Sequence, residues 1–428
     1  MSDNIYVGLI GFGTVGTGIA KILLEQQKQI LSRLNKNIIL KKIVDIDINK
    51  NRGLKLPNNI LSTEAADIID DPEISIVIEA IGGTMPAESF VLSALRNKKH
   101  VVTPNKELIA KRGKELFQVA KKNNVNIFYE AAVGGGIPII RPLSKCLAAN
   151  TIESVYGIIN GTTNYILSKM TREQKSFDDI LKEAQIAGYA EANPSSDIKG
   201  YDAQYKIKIL VSLAFNVDVP LEKIYCEGIT KVSDIDIKYA TEFGYVIKLL
   251  AIAKKTSNGI DIRVHPTFIR EDHALANVND TFNAVFVHGN NVGETMFYGQ
   301  GAGMLPTASA VVADIIDLAR DSQYRGQEMI EPEENTILSI SNINSKYYLR
   351  LNVVDQPGVL AKISNILGNY NVSITTVLQK DTNIDKGTAE LIIITNTVQE
   401  SKMQQAFKEI GNLSIVNVLS NIIRVGLE

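Results

Sequence analysis

The chain has 428 residues, more than one hydrophobic core usually holds, so we expect two to four domains. Lysine and arginine number 45 against 47 aspartates and glutamates, and no basic stripe interrupts that balance, which argues against a nucleic-acid partner. Without a long apolar run, a signal pattern or more than two cysteines, the sequence is typical of a cytoplasmic protein that does not enter a membrane.

The N-terminal part of the chain alternates short apolar runs with helical patterns. Such alternation is typical of a parallel sheet that helices cover on both faces. We therefore predict a doubly wound α/β domain over residues 1–135. Its predicted strands are residues 5–10, 38–44, 74–81, 100–103 and 127–130, and the helices between them include residues 86–97 and 106–123.

A glycine-rich loop, VGLIGFGTVGTGIA, joins the first predicted strand to the first helix. In GxGxxG spacing, the first glycine allows a tight turn and the second lets the backbone approach a pyrophosphate. The third allows close packing, and the helix N-terminus supplies N–H donors. The loop predicts a Rossmann-type domain that binds NAD or NADP. The residues of this loop assigned to cofactor binding are Gly11, Phe12, Gly13, Thr14, Val15 and Gly16.

Asp45 ends the second apolar run, where a carboxylate can accept a hydrogen bond from a ribose 2′-hydroxyl. That role would favour NAD over NADP. Asp47 competes for it, and a solvated loop acid is the alternative interpretation of Asp45. Nearby cations would favour the phosphate of NADP, so the choice of cofactor stays open; they are Lys41, Lys42, Lys50 and Arg52.

The middle of the chain, residues 136–320, follows a different pattern. Predicted helices at residues 176–187, 201–215 and 236–255 mix with alternating segments such as residues 283–288, which indicates an α+β domain. Residues 321–345 are polar without a strong period and are predicted to be a linker.

The tail, residues 346–428, has the βαββαβ order of a ferredoxin-like domain. The turn DQPG precedes the first helix, TNIDKG joins the middle strands, and Thr397 with Glu400 is predicted to form a capping box for the last helix. The predicted strands are residues 347–354, 372–378, 389–395 and 415–425, and the first helix has its apolar face on Val359, Ile363, Ile366 and Tyr370.

Five further segments, in order after the glycine loop, resemble homoserine dehydrogenase. They are VVTPNKELIA, YEAAVGGGIPII, IINGTTNYIL, AGYAEANPSSDIKGYDAQYKIKIL and GQGAGMLPTASAVVADI. The tail resembles an ACT domain, as in monofunctional members of that family. The resemblance implies reduction of L-aspartate 4-semialdehyde to L-homoserine by NADPH or NADH, in threonine, methionine and isoleucine biosynthesis. It also implies that residues 136–320 bind the substrate and dimerise.

The proposed chemistry interconverts an aldehyde and an alcohol, so a proton must move as the hydride does. Asp202 and Lys206 are spaced for a helical ion pair, at the start of a stripe that becomes apolar; the alternative is a pair on a solvated face. The resemblance implies that Lys206 donates the proton and that Asp202 orients it. It implies that Lys106, in TPNK, contacts cofactor and substrate, and it adds Thr103 and Gly303 to the cofactor site.

The substrate carries an ammonium and a carboxylate, which require polar partners. The resemblance implies that Glu191 and Asp197, in AEANPSSD, bind the substrate. Taken alone, two acids near a proline are ordinary loop residues. The segment NGTTN adds Gly161, Thr162 and Thr163 as substrate contacts.

A metal site and an effector site are also implied by resemblance. The first is a monovalent cation, sodium, held by backbone carbonyls after the fifth strand; a glycine turn without a metal is the alternative. The second is the DQPG turn, where Asp355 and Gly358 would bind an amino acid, with threonine favoured by pathway logic; a tail that serves only assembly is the alternative. The ligands implied for the cation are Glu130, Val133, Gly135 and Ile137.

The resemblance also leads us to expect a homodimer or homotetramer.

Three other classes fit the sequence less well. Aspartate-semialdehyde dehydrogenase needs a nucleophilic cysteine beside a histidine, and Cys146 lacks that setting. A hydroxy-acid dehydrogenase with an ACT tail would carry its glycine loop in mid-chain. A catalytically inactive amino-acid sensor would not need the intact set Lys106, Glu191, Asp202 and Lys206.

Overall fold

The computed structural model describes residues 4–320, 335–383 and 387–427. The chain forms two compact units, each assembled from separate stretches. The first unit contains Met1–Ile159, Asp202–Leu221 and Phe282–Glu334. The second contains Asn160–Tyr201, Glu222–Thr281 and Asn335–Glu428.

Over residues 4–320 the strands vary in length from 2 to 12 residues, and the α-helices from 4 to 17. The strands are β1 Asn4–Ile10, β2 Asn37–Val44, β3 Leu61–Ser62, β4 Ile74–Glu79, β5 His100–Val102, β6 Ile127–Phe128, β7 Ile152–Ile158, β8 Tyr225–Cys226, β9 Tyr245–Thr256, β10 Gly259–Arg270, β11 Phe282–Gly289 and β12 Gly293–Gln300. The helices are α1 Thr14–Glu25, α2 Gln27–Leu34, α3 Ala66–Ile69, α4 Ala87–Arg96, α5 Lys106–Lys122, α6 Gly161–Glu173, α7 Phe177–Ile186, α8 Ser195–Ile198, α9 Tyr201–Phe215, α10 Asp234–Glu242 and α11 Met304–Arg320.

The first unit contains the predicted doubly wound sheet. Six parallel strands lie in the order β3-β2-β1-β4-β5-β6. The order in which the chain adds strands reverses between β1 and β4, because β2 and β3 lie on one side of β1 and β4 to β6 lie on the other. A doubly wound sheet binds its ligand at the carboxyl ends of its strands near such a reversal. The apolar core beneath β1 includes Leu9 and Ile19, and Val311 and Ile315 of α11 complete it. Helix α11 approaches α1 so closely that a Cβ at Gly18 would lie 2.6 Å from the carbonyl oxygen of Met304.

The tail in the second unit has the predicted ferredoxin-like order. Its elements are β13 Asn344–Val354, α12 Val359–Asn369, β14 Ile374–Asn383, β15 Thr388–Thr395, the short β16 Val398–Gln399, α13 Glu400–Gly411 and β17 Val416–Val425. The strands lie in the order β17-β13-β15-β14. Strand β17 also pairs with β10, so the tail sheet continues into the β9–β10 hairpin.

The prediction of one helix over residues 236–255 is wrong. Helix α10 ends at Glu242, Gly244 takes a left-handed φ of 75°, and β9 begins at Tyr245. Residues 247–253 of β9 are buried on both faces, and such a strand has a continuous apolar run as its sequence. Periodicity cannot distinguish that run from a buried helix.

The capping box predicted at Thr397 is also wrong. The residue before α13 is Gln399, and no side chain caps the helix. Part of the predicted linker, residues 321–334, and the centre of TNIDKG lie outside the described residues. At the described end of that linker, the amide of Ile260 donates to the carbonyl of Thr336 at 2.8 Å. Throughout the described ranges, no helix is long and apolar enough to cross a membrane.

Candidate active site and cofactor-binding loop

The glycine loop between β1 and α1 has the geometry that its spacing predicts. Gly11 has a φ of +100°, and a Cβ there would lie 2.6 Å from the carbonyl oxygen of Ala80. A Cβ at Gly16 would lie 2.0 Å from the carbonyl oxygen of Gly11, so the turn packs directly on the helix. Gly13, the N-cap of α1, has open space around its Cβ position. The loop therefore leaves room for a phosphate at the N-terminus of α1.

The remaining loop residues differ in their exposure. The Phe12 ring is buried in the core, so only its backbone faces the loop, while Thr14 is exposed and Val15 is half-buried at the start of α1. The Phe12 side chain is therefore inaccessible to a ligand, whereas Thr14 is accessible.

Asp45 binds the glycine loop to the end of β2. Its Oδ2 accepts from the amide of Phe12 at 2.6 Å, and its Oδ1 accepts from the amide of Asp47 at 2.9 Å. The guanidinium of Arg52 lies 3.3 Å from Oδ1 and stacks on the Phe12 ring at 4.6 Å. Arg52 also donates to the carbonyl of Phe12. Arg52 therefore offsets the charge of Asp45 beside the glycine loop.

The carboxyl end of β5 carries the next predicted cofactor residue. Thr103 is buried, and its hydroxyl donates to Glu79 at 2.6 Å. Gly303, which precedes α11, has a φ of +120° that favours glycine. Both residues belong to the first unit.

The first unit also brings the three predicted catalytic residues together. Lys206 on α9 lies 2.7 Å from Oδ2 of Asp202 and donates to the carbonyl of Ile159 at 2.7 Å. Lys106, the first residue of α5, lies 3.0 Å from Oδ1 of the same aspartate. Lys206 and Asp202 are 7% and 4% exposed, which decides against a solvated surface pair. One carboxylate thus holds two ammonium groups, an arrangement that can move a proton at an alcohol oxygen.

The predicted substrate residues lie in the second unit, around the start of α6. Asn160 caps α6 by accepting from the amide of Thr163 at 2.8 Å, and its side-chain amide donates to Asp197 at 2.6 Å. The Thr163 hydroxyl also donates to Asn160, whereas the Thr162 hydroxyl donates to the carbonyl of Tyr189. Asn160 was not predicted as a site residue, although an asparagine before a helical pattern is a recognisable N-cap signal.

Gly161 and Glu191 are the two other residues predicted to bind the substrate. A Cβ at Gly161 would lie 2.9 Å from the carbonyl oxygen of Thr281, so this close approach requires glycine. Glu191 is exposed in the loop between α7 and α8, and its carbonyl accepts from Gln185 at 3.1 Å.

The predicted cation segment is a buried turn in the first unit. Glu130 opens a short 3₁₀ helix, and Gly134 and Gly135 take left-handed φ values of 74° and 53°. The four residues predicted to bind the cation, Glu130, Val133, Gly135 and Ile137, are all buried. The described ranges contain no group of three His, Cys, Asp or Glu side chains arranged for a metal ion. The predicted cation site uses backbone carbonyls, so it does not depend on such a group of side chains.

The side chain of Glu130 has a structural role beside that turn. Its carboxylate accepts from the amides of Ile139, Ile140 and Arg141 at 2.7 to 2.9 Å. Burial raises the pKa of Glu130, and the backbone donors and the Arg141 guanidinium oppose that shift. Arg141 also pairs with buried Asp314 at 2.6 Å.

The predicted effector turn lies between β13 and α12. Gly358 caps α12 with a φ of +90°, and the Oδ1 of Asp355 accepts from the side chain of Gln379 at 3.1 Å. The turn therefore places an acid beside the N-terminus of α12, where amide groups converge.

Comparison with known proteins extends these observations to the whole chain. Residues 11–130 match the NAD-binding domain of homoserine dehydrogenase, residues 138–316 match the homoserine dehydrogenase family itself, and residues 347–414 match the ACT domain. Fold and site define an NAD(P)-dependent oxidoreductase acting on a CH–OH group, with an ACT domain that suggests an amino-acid effector.

Individual relatives are similar to this chain over nearly their full length. A homoserine dehydrogenase of Neisseria gonorrhoeae is 45% identical, with 98% of each chain covered. The crystal structure of a homoserine dehydrogenase from Thiobacillus denitrificans is 42% identical with a TM-score of 0.94, covering 100% of this chain and 99% of that one. A hyperthermophilic archaeal homoserine dehydrogenase in complex with NADPH is 28% identical with a TM-score of 0.62, covering 73% and 97%. The chain belongs to the homoserine dehydrogenase family.

Proposed function

We propose that this protein reduces L-aspartate 4-semialdehyde to L-homoserine, with Lys206 as the proton donor. The observation that supports the proposal most directly is the buried carboxylate of Asp202 between Lys106 and Lys206, at 3.0 and 2.7 Å. The reaction would serve threonine, methionine and isoleucine biosynthesis.

The nicotinamide cofactor, when bound, supplies the hydride that reaches the aldehyde carbon. The ammonium of Lys206 gives its proton to the aldehyde oxygen as negative charge develops there. Asp202 fixes the direction of Lys206 and keeps its positive charge compensated in a buried setting. Lys106 adds a second positive charge near the reacting oxygen and contacts the cofactor. In the reverse reaction, Lys206 accepts the hydroxyl proton.

The substrate's charged groups need partners of opposite charge. We assign Glu191 and Asp197 to the substrate ammonium, and Gly161, Thr162 and Thr163 to polar contacts with the substrate. Asp197 is held in place by the side chain of Asn160 at 2.6 Å, which supports a fixed position for its carboxylate. Because Thr163 uses its hydroxyl within the cap of α6, we expect its contribution to be the placement of that cap.

The cofactor site is assigned to the glycine loop, Asp45, Thr103, Lys106 and Gly303. Arg52 pairs with Asp45, which weakens the repulsion that an unpaired carboxylate would exert on a 2′-phosphate. We therefore propose that both NADP and NAD bind and that NADP is accepted despite Asp45.

A sodium ion is proposed at the carbonyls of Glu130, Val133, Gly135 and Ile137. The buried turn with two left-handed glycines supports this assignment, because successive carbonyls can converge there. Replacing sodium by a bulky organic cation should lower the melting temperature of the protein. An unchanged melting temperature would contradict the site.

The ACT domain is proposed to bind threonine at Asp355 and Gly358 and thereby to inhibit the enzyme. Inhibition requires that threonine bind a less active state more tightly. We further propose a homodimer or homotetramer, and domain limits at residues 135, 320 and 345.

The reaction is tested by mixing the full chain with homoserine and either oxidised cofactor while following formation of the reduced nicotinamide. Homoserine should be oxidised, and serine, which is one carbon shorter, should not. Equal rates with both amino acids would contradict the assigned substrate.

A further inference from the structure

Glu79 ends β4 with a carboxylate that is almost completely buried, at 1% exposure. Its Oε1 accepts from the amides of Ile81 and Gly82 at 2.8 and 3.1 Å. Its Oε2 accepts from the hydroxyl of Thr103 at 2.6 Å. Burying a carboxylate is costly unless donors compensate it, and three donors from two loops do so here.

The strand register explains why these two loops meet. Ile78 of β4 pairs with Val102 of β5 in parallel, so Glu79 and Thr103 follow at the carboxyl ends of neighbouring strands. That edge is where a doubly wound sheet binds its ligand. The carboxylate of Glu79 therefore joins the loop after β4 to the loop after β5 at the cofactor edge.

The loop after β4 also shapes the glycine loop. The amide of Ala80 donates to the carbonyl of Ile10 at 2.8 Å. A Cβ at Gly11 would lie 2.6 Å from the carbonyl oxygen of Ala80 and 2.8 Å from the nitrogen of Ile81. Since Glu79 fixes the amide of Ile81, a shift of this carboxylate would move the backbone that Gly11 contacts.

The loop after β5 leads to the catalytic lysine. The Thr103 hydroxyl accepts from the amide of Asn105 at 3.0 Å, and the Asn105 side chain caps α5 at Leu108 and donates to the carbonyl of Gly83 at 2.7 Å. The next residue is Lys106, which pairs with Asp202. Hydrogen bonds thus connect Glu79 to the start of the helix that presents Lys106.

We propose that Glu79 is a positioning residue whose carboxylate holds the loops after β4 and β5 in the shape that receives the nicotinamide cofactor and presents Lys106. The part that concerns Lys106 rests on the proposed function. The part that concerns cofactor binding does not, because it can be measured without any substrate.

The test compares Glu79→Gln, Thr103→Val and the double variant with the full-length protein. Glu79→Gln and Thr103→Val should each weaken binding of the reduced cofactor by about tenfold or more, as expected for loss of a charge-assisted hydrogen bond. At saturating cofactor, the KM for homoserine should change by less than about twofold in each of these variants. Thr103→Ser keeps the hydroxyl and should bind the cofactor nearly as the wild type does. Ser75→Ala, on the exposed side of β4, is the matched control.

The double variant distinguishes action through one shared hydrogen bond from two independent effects on cofactor binding. If Glu79 and Thr103 act through their shared hydrogen bond, the double variant should be no worse than the weaker-binding single variant. Additive losses would overturn the proposal, as would a folded Glu79→Gln variant with wild-type cofactor affinity. A lower melting temperature with unchanged cofactor affinity would indicate a purely structural role for Glu79. That result would also overturn the proposal.

If Glu79→Gln does not fold, hydrogen exchange in Thr103→Val decides the question. The amides of Ile81 and Gly82 should exchange faster, because their acceptor is no longer fixed by Thr103. Unchanged exchange at both amides would overturn the proposal. An enzyme that binds the cofactor as described but does not oxidise homoserine would contradict the proposed function alone.

Discussion

The ammonium of Lys206 lies 2.7 Å from Oδ2 of Asp202, one helical turn earlier in α9. The two residues are spaced i, i+4 in the order that favours a helical ion pair, and both are buried. Breaking a buried pair by removing one partner leaves an uncompensated charge, which is strongly destabilising. The pair therefore fixes the direction of the ammonium group within the first two turns of α9.

Glu191→Gln should raise the KM for homoserine more than it weakens cofactor binding. The exposed carboxylate is proposed to pair with the substrate ammonium in both the ground state and the transition state, and loss of such an interaction raises KM. Steady-state kinetics with each substrate varied in turn measures the difference. Asp178→Asn removes another exposed acid of the second unit and should leave both constants unchanged. A homoserine KM equal to that of the wild type would remove Glu191 from the substrate site.

Asp45→Ala should weaken both cofactors and shift the preference toward NADP. Both weaken because Asp45 holds the amide of Phe12 at 2.6 Å. The preference shifts because a ribose 2′-hydroxyl loses its acceptor while Arg52 loses its competing carboxylate. The measured quantity is the ratio of kcat/KM for NADP to that for NAD. Asp67→Asn, at an exposed acid of the same domain, is the control. Identical ratios in wild type and Asp45→Ala would place Asp45 outside the ribose site.

Lys248, on β9, is buried without a carboxylate among its hydrogen-bond partners. Its ammonium donates to the side chains of Asn164 and Asn279 at 3.1 Å and to the carbonyl of Val278 at 2.6 Å. Burial lowers the pKa of Lys248 from 10.5 to about 7, with a smaller opposing effect from Asp280. The unfolded chain therefore binds more protons at this lysine between those two pH values.

Because the unfolded state is favoured by protonation of Lys248, the free energy of unfolding should rise with pH from about 7 to about 10, by up to about 1.4 kcal/mol per pH unit. Below about pH 7 both states are protonated, and the contribution becomes constant. Urea titrations at several pH values should show a shallower rise for Lys248→Met than for the wild type. Lys255→Met, at an exposed lysine of the same strand, should keep the wild-type slope. Equal slopes for all three proteins would contradict the lowered pKa.

The tail is so closely connected to the rest of the second unit that deleting the tail is a poor test of regulation. Asp236 of α10 is fully buried and accepts from Tyr348, Arg350 and Asn421 of the tail at 3.1, 2.7 and 2.7 Å. A chain ending near residue 340 loses all three donors and should have a lower melting temperature. Regulation is better tested in the full chain.

Asp355→Ala should therefore be compared with the wild type over a series of threonine concentrations. If threonine binds at the turn before α12, the variant should need at least about tenfold more threonine for half-inhibition, the loss expected for one charge-assisted hydrogen bond. Lys402→Ala, at an exposed residue of α13, is the control. Identical inhibition curves for wild type and Asp355→Ala, or no inhibition of either, would show that this turn is not a threonine site.

The sequence was sufficient to predict the parts of the fold that have clear periodicity. Alternating strands and helices predicted the doubly wound sheet, and the βαββαβ order predicted the tail. Strand β9 was missed because burial on both faces removes the alternation on which strand prediction depends. The pairing of β10 with β17 joins residues far apart in the chain, which periodicity cannot predict.

Residues of the candidate site were predictable only where their type and spacing in the sequence indicate a role. The spacing of Asp202 and Lys206 indicated a pair, but burial was needed to distinguish it from a surface pair. Arg52 was one of four nearby cations, and only the structure singles it out by its contact with Asp45. Glu79 ended an apolar run without any motif, so its three donors could not be inferred before the loops were placed.

The most direct test of the assigned chemistry is the turnover number for homoserine oxidation by Lys206→Ala, measured beside equilibrium binding of the cofactor. Loss of one proton-transfer group should lower turnover by about 10²–10⁴-fold while cofactor affinity stays near that of the wild type. Lys208→Ala removes the next lysine of α9, which lies 3.6 Å from Asp218, and should retain turnover. If Lys206→Ala keeps more than about a tenth of wild-type turnover, well short of that loss, Lys206 is not the proton donor.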